Sequence, residues 1–232
     1  MPPDPSNVSD LLSHLPDYIA AIAGIGSAAT GLVDTTKLFG GGVSRAGYKI
    51  IEKKLTPFNK ILEKIPEHSA WETIYGNWIN GMDEDDQKSK TKALIKLGFT
   101  AGTAQVMADA TGLAFADLQP LAASFDVGTP LTGAQVNIYG RLDAIISSIL
   151  DAAYEQADQR YRNSAKGLAA LIAVVLSVGG ACTVYNGLDL AQFFQGLIVG
   201  LVATPLAPVA KDLTTAITTA VQSSGQLKAL LK

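Results

Sequence analysis

The distribution of apolar and polar positions divides the chain into contrasting stretches. From Gly167 to Ala210, 44 residues carry only Asp189 as an acidic or basic side chain. Within it, Gly167–Asn186 gives 20 uncharged residues, GLAALIAVVLSVGGACTVYN, and Leu190–Ala210 a second run of 21. A helix of 20 residues rises about 30 Å, the thickness of a bilayer's hydrocarbon core. The short Gly187-Leu188-Asp189 link forces the two runs antiparallel, so the pattern predicts a transmembrane helical hairpin over 167–210. Two buried helices of a soluble core are the competing reading, but a domain this small has little surface to cover them.

A third apolar stretch, Tyr18–Val33, has 16 residues, extending to 22 if counted through Phe39. The longer count predicts a span within 17–42, with a short re-entrant helix as its rival. It puts Asp34 and Lys37 one helical turn apart, where an intramembrane ion pair could form. A helix end at the headgroups is the plainer account of the same two residues. Residues 1–16, with Pro2, Pro3 and Pro5, read as a flexible tail. That tail has no Lys or Arg, so it lacks the basic start of a signal peptide.

The section 43–166 alternates on helical periods. Val43, Gly47, Ile50, Ile51 and Leu55 share a face. Thr56-Pro57 marks a helix start, with Pro66 as the stop. Ser69–Glu72 reads as a capping box ahead of a stripe of Trp71, Ile74, Tyr75, Trp78 and Ile79. Both tryptophans are candidates for the headgroup layer, where indole is favoured; packing in a helical core is the alternative. Residues 97–125 predict two helices, one from Leu97 to Ala108, with a break at Gly112 or Gln119-Pro120. Thr132–Gln135 offers a further capping box. The stripe Leu142, Ile145, Ile146, Ile149, Leu150, Ala153, Ala157 and Tyr161 then leads without proline into the first apolar run. Unbroken from Gly133 to Asn186, that helix would couple a cytoplasmic domain rigidly to the bilayer, with Gly140 and Gly167 as weak points. The segment 211–232 reads as a cytoplasmic amphipathic C-terminal segment, with a Thr- and Ala-rich helix expected over Lys211–Gln222.

Charge sets the orientation. Arg160, Arg162 and Lys166 precede the hairpin, Lys211 follows it, and the turn carries only Asp189. The positive-inside rule places both hairpin ends in the cytoplasm. The acidic tail before the first span and the net +4 of Arg45–Lys64 place the N-terminus outside. This pattern fits a bacterial cytoplasmic membrane. In the second run Gln192, Gly196, Gly200 and Thr204 recur every four residues. They form a small-residue face suited either to oligomerisation or to packing against the preceding span.

Composition narrows the chemistry. Of 232 residues 17% are charged, against the quarter usual in soluble domains, and mean hydropathy is +0.23. With 18 Lys and Arg against 21 Asp and Glu, no nucleic-acid partner is indicated. Cys182 is the only cysteine and His14 and His68 the only histidines, which leaves neither a metal-ligand set nor a nucleophile–base pair. Gly42-Val-Ser44-Arg-Ala46 lacks the second glycine and the strand of a nucleophile elbow. Gly24, Gly26 and Gly31 are misspaced for a dinucleotide loop. Asp83–Asp86 does not alternate as a calcium loop requires. No catalytic residue, cofactor, metal or small-molecule substrate is therefore expected. The expected class is an all-α membrane protein with an N-terminal span, a cytoplasmic helical domain and a C-terminal hairpin. Its expected role is an oligomeric, non-enzymatic anchor or assembly subunit that holds a larger complex at the lipid bilayer. The alternative is a homo-oligomeric pore lined by Gln192, Gln195 and Thr204, with Asp34 and Lys37 as further lining candidates.

Overall fold

The computed structural model describes residues 5–65, 69–185, 187, 189–209, 216 and 219, with side chains from residue 14 onward. The described residues are all-α, without a strand. They form α1 (Pro5–Thr35), α2 (Ser44–Leu55), α3 (Asn59–Leu62), α4 (Ala70–Ile79), α5 (Glu84–Leu97), α6 (Ala104–Thr111), α7 (Phe115–Val127), α8 (Gly133–Val184) and α9 (Leu190–Leu206). Pro66, His68 and most of the segment 211–232 lie outside the described residues. The chain divides into two compact units, residues 37–163 and residues 1–36 with 164–232.

The unit 37–163 is built around one core. Ile51 and Leu55 of α2, Phe58, Ile61 and Leu62, Ile74 of α4, Ile95 of α5, Met107 of α6 and Leu118 and Leu121 of α7 are essentially inaccessible. They close on Leu142, Ile146, Leu150 and Tyr154 of α8. Spacings of three and four put these positions on one face of each helix, which is why the sequence pattern located them. Local chemistry sets the boundaries. Gln135 donates its N–H to the Thr132 hydroxyl and returns its side-chain oxygen to the Thr132 N–H. Ser69 accepts from Glu72 N–H at the start of α4. Gly112 and Gly128 end α6 and α7 in the left-handed region, where L side chains are disfavoured.

Two boundaries differ from the sequence expectation. The helix expected over Leu97–Ala108 is interrupted: α5 ends at Leu97, and a 3₁₀ turn at Ala101–Thr103 precedes α6. Thr100 and Thr103 form a reciprocal cap, and the Thr103 hydroxyl donates to the Gly98 carbonyl at 2.8 Å. A side-chain hydrogen bond has captured backbone groups that a continuous helix would have used. The expected tail 1–16 is helical from Pro5 onward. The described part of α1 begins at Pro5, and Pro16 is accommodated inside it.

The other unit comprises α1, α8 from Ser164 onward, and α9. Helix α8 has 52 residues, about 78 Å at 1.5 Å each, and Gly140 and Gly167 do not break it. Two helices are long and apolar enough to cross a membrane, His14–Leu38 and Gly133–Val184; α9 is apolar but has 17 residues.

Candidate functional site

Three glycines of the apolar unit sit at close helix–helix contacts. A Cβ on Gly196 would lie 3.1 Å from the Val178 Cα, and one on Gly200 would lie 2.7 Å from the Val174 nitrogen. On α1, a Cβ at Gly26 would overlap the Ala203 carbonyl of α9. Ala29, Ala173 and Ala203 fill the middle, with Ile22, Ile25 and Ile172 around them. The spacing Gly196-x-x-x-Gly200 therefore brings α9 against α8 of the same chain. Backbones can approach this closely only where the facing residues carry almost no side chain.

The other expected members of that face have separate roles. Asp189 accepts from Gln192 N–H at 2.7 Å, and Asp189 N–H donates to the Gln192 side-chain oxygen at 3.2 Å. Gln192 is thus half of a capping box, satisfying two donors at the start of α9. The Asp189-x-x-Gln192 spacing is the sequence signal for this cap, and it competes with the reading of Gln192 as part of a packing face. Thr204 lies on the inner side, its hydroxyl buried without a hydrogen-bond partner.

The outward faces are strongly apolar. Leu171 and Val175 of α8 are 62% and 64% exposed, Ile198 and Leu201 of α9 58% and 52%. Only 17% of the most apolar 18-residue stretch of α8 is buried, and 28% of that of α1. A soluble protein hides such helices; here the apolar side chains face outward.

Among the charged and aromatic candidates, Asp34 is exposed near the end of α1. Lys37, in the 3₁₀ turn Thr36–Leu38, places its ammonium 5.5 Å from the Tyr161 ring centroid, within cation–π range. Trp71 and Trp78 pack half-buried on the core of the 37–163 unit. Trp71 Nε1 donates to Asn59 Oδ1 and Trp78 Nε1 to the Ser44 carbonyl, each at 2.8 Å. Tyr48 packs edge-on against Tyr75 at 4.8 Å, and burial, with Glu52 nearby, pushes its phenol up to about 12.

A charged ladder joins α5 to α8. Lys88 reaches Asp151 at 3.1 Å, and Lys92 reaches Ser147 at 3.1 Å and Asp143 at 3.3 Å; Lys96 also bonds Asp143. Lysines four apart face an antiparallel Asp143–Ser147–Asp151 series, a pairing that tertiary structure alone reveals. The Lys96 hydrogen bond, reinforced by Lys92 and opposed by partial burial, holds the Asp143 carboxyl below its ordinary value. One helical turn further along α8, the Tyr154 hydroxyl shares a 2.8 Å hydrogen bond with Thr91. Burial raises that phenol, and the Thr91 bond partly offsets the effect. A cleft of about 210 Å³ lies beside Trp78, Glu84, Gln87 and Tyr161, but Glu84 is bridged to Lys88 at 3.3 Å.

Among the described residues, no three His, Cys, Asp or Glu side chains converge to hold a metal ion. Compared with protein-family models, curated proteins and solved structures, the chain matches none.

Proposed function

We propose that this chain is a non-enzymatic integral membrane protein that serves as an anchor. In this reading α1, the latter part of α8 and α9 sit in lipid, and the unit 37–163 stands in water and holds a partner assembly at the membrane. The observation that carries the proposal is the outward-facing hydrocarbon of α8 and α9. Contiguous apolar surface of that kind marks a membrane or protein contact. A bilayer accepts helices because their backbone bonds are internally satisfied. The close contact of Gly26 with α9 favours α1 as a folded member of the same bundle. With Gly196 and Gly200 engaged inside the chain, any self-association would use the outer faces at Leu171, Val175 and Ile198. The flanking Lys and Arg residues favour an outside N-terminus and a cytoplasmic C-terminus.

The test is fractionation of cells expressing the full chain, followed by gentle solubilisation and mass measurement. The expected outcome is retention in carbonate-washed membranes, release only by detergent, and a particle heavier than one 24.2 kDa chain with its detergent. Recovery as a monodisperse particle without detergent overturns the membrane assignment. A solitary chain after gentle extraction overturns the anchor role.

A further inference from the structure

The apolar unit contains a groove of about 770 Å³, a volume typical of small-molecule sites. Its body is hydrocarbon, with Ala170 and Leu201 along the wall. On the α1 side, Thr30 donates its hydroxyl to the Ser27 carbonyl at 2.8 Å, so that hydroxyl needs no acceptor from a ligand. One end is polar, for a reason written into α9. Gly196 meets Val178 and Gly200 meets Val174; continued by one and two turns, this antiparallel register brings Thr204 level with Ala170 and Pro208 level with Lys166. Pro205, inside α9, has no N–H and so withholds the helical donor from the Leu201 carbonyl; the Thr204 carbonyl is in the last turn of α9, and Pro208, just beyond the helix, brings no N–H to it. All four residues line the groove. The Thr204 hydroxyl is also buried and unpartnered. Lys166 lies at the same end and makes no ion pair among the described residues.

We propose that this groove holds one anionic glycerophospholipid. Its phosphate pairs with Lys166, its headgroup hydroxyls supply the donors that the two prolines lack, and an acyl chain follows Ala170 and Leu201. The match is one of chemistry: an uncompensated cation and donor-poor carbonyls at one end, and hydrocarbon beyond. Basic sites between membrane helices near the cytoplasmic surface are suited to anionic headgroups. The inference rests on the membrane assignment above.

The experiment titrates the full chain, purified in detergent, with phosphatidylglycerol or phosphatidylcholine and counts retained lipids by native mass spectrometry. One phosphatidylglycerol should be retained about fivefold more strongly than phosphatidylcholine, the effect of one lysine–phosphate contact near a membrane surface. Lys166→Gln should abolish that preference and Lys166→Arg keep it. Ala170→Leu, which fills the groove level with Thr204, should lose both lipids. If Ala170→Leu fails to fold by circular dichroism, the two Lys166 variants decide. Equal retention of both lipids, or an unchanged preference in Lys166→Gln, overturns the proposal. So does retention of neither lipid. A chain that stays in carbonate-washed membranes yet shows no preference refutes the lipid site alone. A chain released without detergent refutes the membrane assignment as well.

Discussion

Asp143 illustrates how one side chain acquires a role from its neighbours. Its carboxyl accepts from both Lys96 and Lys92, which favours the charged form and lowers its pKa below the ordinary 3.8. In the unfolded chain the same group takes up its proton at a higher pH, so the unfolded state binds more protons as pH falls through that value. The stabilisation is therefore fully present above about 3.8 and is lost as pH falls through the lower, folded value. Asp143→Asn should lower stability at neutral pH by up to about 1 kcal/mol, the scale of partly solvated ion pairs. It should also flatten the acid limb of the stability profile. Tryptophan fluorescence is a suitable readout, because Trp71 and Trp78 both lie in the unit that contains Asp143. Identical acid limbs in the two proteins would contradict this account. In the sequence Asp143 is one of four acids, with Asp151, Glu155 and Asp158, between Leu142 and Tyr161; its selection depends on the lysines that α5 brings to it.

Among the elements, α9 shows most clearly what spacing can and cannot encode. The four-residue recurrence of Gln192, Gly196, Gly200 and Thr204 does describe one helix face, and the structure packs its two glycines. The terminal members obey other constraints: Gln192 closes the helix start with Asp189, and Thr204 falls where prolines disturb the backbone. Asp189→Ala removes the acceptor for Gln192 N–H, a loss of about 1 kcal/mol for a helix N-cap. The expected result is a lower unfolding temperature of the detergent-solubilised chain, with partial rescue by Asp189→Asn. If Asp189→Ala unfolds at the wild-type temperature, the cap contributes nothing to the bundle. The same competition between local bonds and periodic pattern explains the break before α6. An apolar run over Leu97–Ala108 has the pattern of a helix, yet the Thr100–Thr103 cap divides it.

For the whole molecule, orientation is the property the charges address most directly. If the proposed outside N-terminus holds, the link at 187–189 would face outside and Cys182 would lie just inside that surface. Cys182 is exposed on α8, so its access depends on the bilayer. In sealed inside-out vesicles a membrane-impermeant maleimide should leave Cys182 unmodified until detergent opens the membrane. Immediate modification would reverse the orientation or remove the span. The sequence by itself determined the helical class, the apolar runs, the helix limits at Ser69, Gly112 and Thr132, and the inward stripe of α8. Those properties follow from side-chain period and from capping chemistry a few residues apart. Only the tertiary structure decided that Gly196 and Gly200 face α8 of their own chain. It likewise decided that both indole N–H groups are answered by protein, and that Lys88, Lys92 and Lys96 meet Asp151, Ser147 and Asp143. These outcomes depend on which helix faces which neighbour and in what register, and residues far apart in the chain fix that only once they pack.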